Sequence, residues 1–169
     1  GLGDVYKRQE IKYEHIDDLI MASKLHDIGK ISIPGHILNK PGKLTKEEYD
    51  IIKIHPMKGY QIIEHLDYFK QIKLGVKYHH EHYDGTGYPE GLRGDEIPMI
   101  AQIISIADVY DAVTSDRSYR KGLSHDKAVD IIVKESGKLF NPELVDAFIR
   151  RKEDFRVKLV ESQTHRLLF

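Results

Sequence analysis

Cysteine is absent from the 169 residues, so neither a disulfide nor a thiolate metal site is open to this chain, and the composition suits a reducing cytoplasm. No apolar run approaches the roughly 18 residues needed to cross a bilayer, and the opening residues do not read as a signal peptide. The chain is expected to be soluble and cytoplasmic. An excess of one charge is missing too: 26 Lys and Arg offset 27 Asp and Glu, with no block of like charge to mark a nucleic-acid arm or a membrane patch. Binding to DNA, RNA or lipid by bulk electrostatics is therefore not expected. Internal repeats, low-complexity tracts and interdomain linkers are also lacking, and the length suits one domain.

What is present is helical periodicity, with no convincing strand alternation, so the fold is expected to be all-α. Ile16, Leu19 and Ile20 share a face before "KLHDIGK". Thr45 and Glu48 in "TKEEYDIIKIH" have the spacing of a capping box, and Pro56 is placed to open the next helix. Val76, His79, His80 and Tyr83 recur at three and four, so an apolar face runs into a histidine pair where helix gives way to loop. Ile100, Ile103, Ile104 and Ala107 form the most apolar stripe, and Ser124 and Asn141 with Pro142 cap two further helices. The stretches "ISIPGHILNKPGKL" and "DGTGYPEGLRGDEIP" are the long Gly/Pro loops.

Chemistry-bearing residues collect at helix ends. His-Asp pairs occur twice. His125-Asp126 follows Ser124 in the first turn of a helix, where a solvated helix start is the expected role. His26-Asp27 stands at the end of an apolar helix, followed by Gly29 and Lys30, at the edge of the core; a structural role and a ligand role are both open on this spacing alone. Asp108 falls on the same face as Ile104 and needs a partner there, either an ion pair or hydrogen bond to Tyr or Arg, or a metal. His79 and His80 would diverge by about 100° on a helix, so one ion would not ordinarily take both, whereas two ions a few ångström apart could. His55 stands at a helix junction. Histidine nitrogen and carboxylate oxygen without sulfur suit Zn, Fe or Mn. His15, His36, His65 and His165 have no motif partner and are expected at the surface or in loops.

The set "LHDIGK", "HP" with "KGYQII", "HHEHYDGTGYP" and "IISIADVYDAVTSDRSYRKG" resembles the HD-GYP family, bacterial phosphodiesterases acting on cyclic di-GMP, from about Ile11 to Ile149 and in the family's order. The resemblance implies an HD-superfamily helical bundle. It implies that His26, Asp27, His55, His79, His80 and Asp108 hold two or three divalent transition-metal ions, Fe or Mn ahead of Zn, with Asp27 bridging. It further implies catalytic roles for Asp27 and Lys30, phosphate binding by Lys30, Arg117 and Arg120, and a pocket mouth shaped by Gly85, Gly87, Tyr88 and Pro89. Glu81, His82 and Asp84 belong to the same signature and are expected to fix the loop or support the ligands. Two ions about 3.5–4 Å apart can activate water and hold a scissile phosphate, so the implied reaction is hydrolysis of cyclic di-GMP to pGpG and onward to GMP. A different nucleotide substrate and a non-catalytic sensing or docking module are the alternatives.

In one respect the chain departs from the family pattern. Members carry a further ligand histidine on a helix upstream of the HD pair, whereas here only the residues before His26 are available. Glu14 and His15 are poor substitutes: eleven helical residues place His15 about 16 Å from His26 along the axis. The expectation is therefore a domain without its first helix over residues 10–155, with residues 1–9 foreign or disordered, residues 156–169 a C-terminal tail, and a sensory or receiver domain upstream. A homodimer is the expected assembly.

Overall fold

The computed structural model describes residues 15–116 and 121–157. The expectations placed on residues 1–9, on Glu14, Arg117, Arg120 and His165, and on most of the 156–169 tail lie outside the described residues.

Helices and loops make up the described residues, and an isolated bridge between Ser136 and Phe140 is the extent of extended pairing among them. Helix α1 spans Ile16–Leu25, α2 Gly35–Leu38, α3 Lys46–Ile52, α4 His55–Ile63, α5 Lys70–Tyr78, α6 Met99–Thr114, α7 His125–Lys134 and α8 Pro142–Arg150. Short 3-10 turns cover Ile28–Ser32, Asp67–Phe69 and Gly94–Glu96. The first Gly/Pro loop thus carries the Ile28–Ser32 turn and α2 instead of running unstructured.

Local chemistry starts these helices. The Thr45 hydroxyl accepts from the Glu48 amide while the Glu48 carboxylate accepts from the Thr45 amide at 2.7 Å, completing the capping box of α3. Ser124 and Asn141 accept from the amides of Lys127 and Glu143 at the starts of α7 and α8. Helix α4 begins at His55, so Pro56 is its second residue and not its first; either position tolerates the missing amide hydrogen.

The long α6 joins two cores. On one side Ile100 and Ile104 pack with Ala22, Ile63, Ile72 and Val76; on the other Ile106 and Tyr110 pack with Ala128, Ile132, Phe140, Leu144, Val145 and Phe148. Burying an Ile side chain contributes about 1.5–3 kcal/mol, so the two clusters pin α6 from both ends. Asp108 lies on α6 one turn beyond Ile104, between Ile106 and Tyr110 of the second cluster.

Two expectations change. Helix α1 packs through Ala22, with Leu19 and Leu25 beside it, while Ile16 and Ile20 stand half-exposed; the packed face is set by where α5 and α6 lie, which the periodicity of α1 alone could not fix. His125 is not a solvated helix start. It is buried, and its Nδ1 lies 2.8 Å from the Tyr110 hydroxyl of α6; Asp126 beside it is exposed.

Candidate metal centre

Three histidines stand just beyond helix C-termini. His26 caps α1, His79 caps α5, and His55 follows α3 at the start of α4. The last carbonyls of a helix lack partners within it, and each of these rings uses one. Nδ1 of His26 donates to the Ser23 carbonyl (2.7 Å), that of His55 to Ile52 (2.8 Å) and that of His79 to Val76 (2.9 Å). With a proton held on Nδ1, Nε2 is the atom each ring turns toward the others, and once unprotonated it offers a lone pair, the form in which histidine ligates metal.

Those nitrogens converge. The Nε2 atoms of His55 and His79 are 3.3 Å apart, and with both Nδ1 hydrogens already donated neither ring can give the other a hydrogen bond. His26 Nε2 is buried and has no hydrogen-bond partner among the described residues, although Asp27 and Asp108 lie 3.4 and 3.6 Å away. A cation among these atoms would satisfy all of them. The ligand atoms of His55, His79 and His80 lie within 4.8 Å of one another, as do those of His26, Asp27 and His79.

Backbone packing sets the meeting. The Ile28–Ser32 turn lies so close to α4 that a Cβ on Gly29 would strike the His55 carbonyl and the Gly59 amide. This contact brings Asp27 beside His55. The two carboxylate oxygens of Asp27 then face different histidines: Oδ1 is 3.3 Å from His55 Nε2, and Oδ2 is 3.4 Å from His26 Nε2. Lys30 donates to Oδ2 at 2.6 Å.

His80 corrects the argument from helical divergence. Helix α5 ends at Tyr78 with His79 as its C-cap, still in right-handed helical conformation, and the His79 and His80 rings come to 4.2 Å between centroids. Both belong to one candidate ligand group.

The charges follow from this crowding. Burial acts to lower the pKa of His26, but the carboxylates of Asp108 and Asp27 beside it override that and raise the value to about 10. Burial works against ionisation of Asp27, yet His26, His55 and Lys30 hold its carboxyl far below the usual range. His79 is pushed down to about 4 by burial and by His26 and His55, and His80 moves the same way for similar reasons. Asp108 stays low despite burial because of His26. Ionised Asp27 and Asp108 beside neutral His79 and His80, with His26 giving up its proton to an incoming ion, make a donor set that fits a divalent transition metal.

The loop after His80 closes one side of this centre. Gly87 lies so flat against the 80–82 backbone that a Cβ would collide with it, and the Tyr88 amide donates to the His80 carbonyl at 3.1 Å. The Tyr88 ring stacks on that of His80, with 4.9 Å between centroids and 25° between planes. Glu81 is buried, and its carboxylate accepts from the amides of Glu90 (2.7 Å), Gly91 (3.1 Å) and Leu92 (3.0 Å). Asp84 accepts from the Thr86 amide and hydroxyl, and that hydroxyl meets His82 Nδ1. Gly85, at φ 82°, turns the chain, and the Tyr88-Pro89 bond is cis. Lys77 and Tyr78 hold the Glu90 side chain from α5.

The geometry therefore gathers His26, Asp27, Lys30, His55, His79, His80 and Asp108, with Gly87 and Tyr88 at the edge. The expected surface placement fits His15, His36 and His65, which are exposed. Sequence reasoning missed the anchoring carbonyls of Ser23, Ile52 and Val76, the Lys77–Glu90 tie and the Tyr88–His80 stack. A histidine three residues after a last-turn carbonyl is the signal that could have found the anchors.

A helical bundle that aims histidine lone pairs and aspartates at one point is a metal-ligand scaffold. The chain belongs to the HD-domain family, whose model matches residues 3–144, and its relatives fit the HD-GYP group. It is 42% identical over 150 residues to the cyclic di-GMP phosphodiesterase response regulator RpfG of Xanthomonas campestris, a match covering 88% of this chain and 40% of that protein. It is 43% identical over 148 residues to a cyclic di-GMP phosphodiesterase of Vibrio cholerae, covering 83% of this chain and 30% of the relative. The chain thus spans well under half the length of these curated relatives. Among solved structures, a cyclic GMP-AMP-specific phosphodiesterase of V. cholerae has the same fold, with a TM-score of 0.61, 19% identity, and coverage of 92% of this chain and 45% of that one.

Proposed function

We propose that this chain is a metal-dependent phosphodiesterase that hydrolyses cyclic di-GMP to pGpG and onward to GMP. The observation that carries the proposal is the facing pair of Nε2 lone pairs on His55 and His79, 3.3 Å apart, beside an aspartate whose two oxygens face two histidines. The names of the relatives support the substrate. His26, Asp27, His55, His79, His80 and Asp108 would hold the ions, with Asp27 bridging, and mixed nitrogen and oxygen donors suit Fe or Mn as well as Zn. When bound, such ions supply water activation and charge neutralisation for in-line displacement at phosphorus.

In the hydrolysis, the water oxygen bonds to phosphorus, a P–O bond to ribose breaks and the leaving oxygen takes a proton. Lys30 keeps Asp27 oriented through their 2.6 Å ion pair and brings positive charge to the edge where phosphate would approach. Arg117 and Arg120 are proposed to bind the phosphates bidentately. Gly85, Gly87, Tyr88 and Pro89 form the mouth that admits the dinucleotide. The name of the Xanthomonas relative, a response regulator, supports a receiver domain upstream.

The experiment is metal analysis of the purified protein followed by a substrate panel of cyclic di-GMP, 3'3'-cGAMP and guanosine tetraphosphate. Bound transition metal with cyclic di-GMP turnover is the expected result. Turnover of another nucleotide with none of cyclic di-GMP overturns the substrate, and a metal-free, inactive protein overturns the enzyme in favour of a sensing or docking module.

A further inference from the structure

His80 is held differently from the other candidate ligands. His26, His55 and His79 are each fixed by an Nδ1 hydrogen bond to a last-turn carbonyl, whereas no hydrogen bond among the described residues holds the His80 ring. Ring contacts surround it instead: His79 at 4.2 Å, His55 at 5.0 Å and Tyr88 at 4.9 Å between centroids. The first two are themselves candidate ligands. Tyr88 is the neighbour with no metal to hold, and it lies close to parallel with His80, at 25°.

The surrounding loop is built to keep Tyr88 there. Its amide is tied to the His80 carbonyl, and Gly87 allows the chain to fold flat onto residues 80–82. The buried Glu81 carboxylate gathers the three amides that follow Pro89. Lys77 and Tyr78 grip the Glu90 side chain at 2.5 and 3.1 Å. These contacts fix the backbone at and around Tyr88, and the last of them ties down the Glu90 side chain two residues on.

We infer that Tyr88 is a positioning residue: its ring stands in for the missing hydrogen bond, fixing His80 so that its nitrogen joins those of His55 and His79 on one ion. The GYP loop thereby controls loading of that ion, while an ion at the other candidate group, His26 and Asp27 with His79, depends on it little. The inference rests on the reading of His80 as a ligand. It assigns the work to the ring face, so the hydroxyl is dispensable for loading.

The test is metal binding, independent of turnover. Wild type, Tyr88→Phe, Tyr88→Leu and Tyr88→Ala are stripped with chelator, checked for helix content, and titrated with cobalt(II), whose ligand-field bands report nitrogen donors; bound metal is counted by elemental analysis. Loss of a support for a ligand typically weakens metal affinity about 10–100-fold, and that loss is expected for Tyr88→Ala and Tyr88→Leu at one ion, with the other ion within about twofold of wild type and Tyr88→Phe restored to wild-type loading. Equal loading of Tyr88→Ala and wild type overturns the inference and leaves the metal centre standing, as does equal loss of all ions in a folded variant. A wild type that binds no cobalt overturns the ligand reading itself.

Discussion

His55 and His79 aim their Nε2 atoms at each other across 3.3 Å while their Nδ1 hydrogens are committed to the carbonyls of Ile52 and Val76. The helices behind the two rings thus hold both Nε2 atoms at one point. Preorganisation of this kind lowers the cost of ordering ligands when an ion arrives.

Asp27 is the ligand on which the arrangement turns, because its two oxygens face His55 and His26. Asp27→Ala is expected to abolish metal loading and phosphodiesterase activity with helix content retained, measured by elemental analysis, turnover and circular dichroism. Asp126→Ala in the second His-Asp pair is the control: Asp126 is exposed, so activity should hold and stability should change by about a few tenths of a kcal/mol. Full activity in the Asp27 variant would remove the proposed centre.

Metal loading should expel a proton. In the metal-free protein His26 has a pKa of about 10, well above its ordinary value, because Asp108 and Asp27 outweigh burial. The protonated ring therefore contributes stability that is fully present below the unfolded pKa and is lost as pH rises toward 10. An incoming ion takes the same Nε2, so binding at pH 7 should release about one proton from this group and should weaken as pH falls. Titration calorimetry in two buffers of different ionisation enthalpy reads the proton directly; identical heats in both would contradict this account of His26.

Much of this was legible in the sequence, and the rest depended on where helices end. The capping box of Thr45 and Glu48 and the Ser124 and Asn141 caps are local signals, and each came through, while of the apolar stripe on α6 Ile100 and Ile104 are buried, Ile103 is half-buried and Ala107 is exposed. The pairing of His79 with His80 was obscured because spacing gives the 100° between their backbone positions and not how closely the two rings approach. His125 looked solvated because its burial comes from Tyr110, fifteen positions earlier on another helix. Ile16 and Ile20 marked a periodic face of α1, but the neighbours that choose the packed face are distant in the chain.

Glu81 illustrates a carboxylate placed for the backbone. Glu81→Gln keeps one acceptor oxygen and turns an amide NH2 toward three backbone N–H groups, so at least one donor loses its partner. An unsatisfied donor costs about 1–3 kcal/mol when buried, and because Glu90 and Gly91 are exposed and Leu92 half-buried, thermal unfolding should show a loss at or below the lower end of that range. Hydrogen exchange at Glu90, Gly91 and Leu92 should accelerate more than exchange in the α6 core. Unchanged protection at those three amides would show that the carboxylate does not fix the loop.

Gly29 carries the closest backbone contact between the His-Asp segment and α4. An added Cβ would meet the His55 carbonyl and the Gly59 amide, neither of which can move without displacing α4. Gly29→Ala should therefore push the Ile28–Ser32 turn outward, carrying Asp27 away from His55, at a cost of about 1–3 kcal/mol for overpacking. Gly42→Ala separates this effect from backbone conformation alone: Gly42 has φ 108° but nothing within 4 Å of a new Cβ, so it should lose stability through strain without losing metal. Weakened metal binding in Gly29→Ala, with binding intact in Gly42→Ala, is the expected pair of results. Wild-type metal affinity in a folded Gly29→Ala variant would mean that the close approach of turn and helix is not what sets the distance between Asp27 and His55.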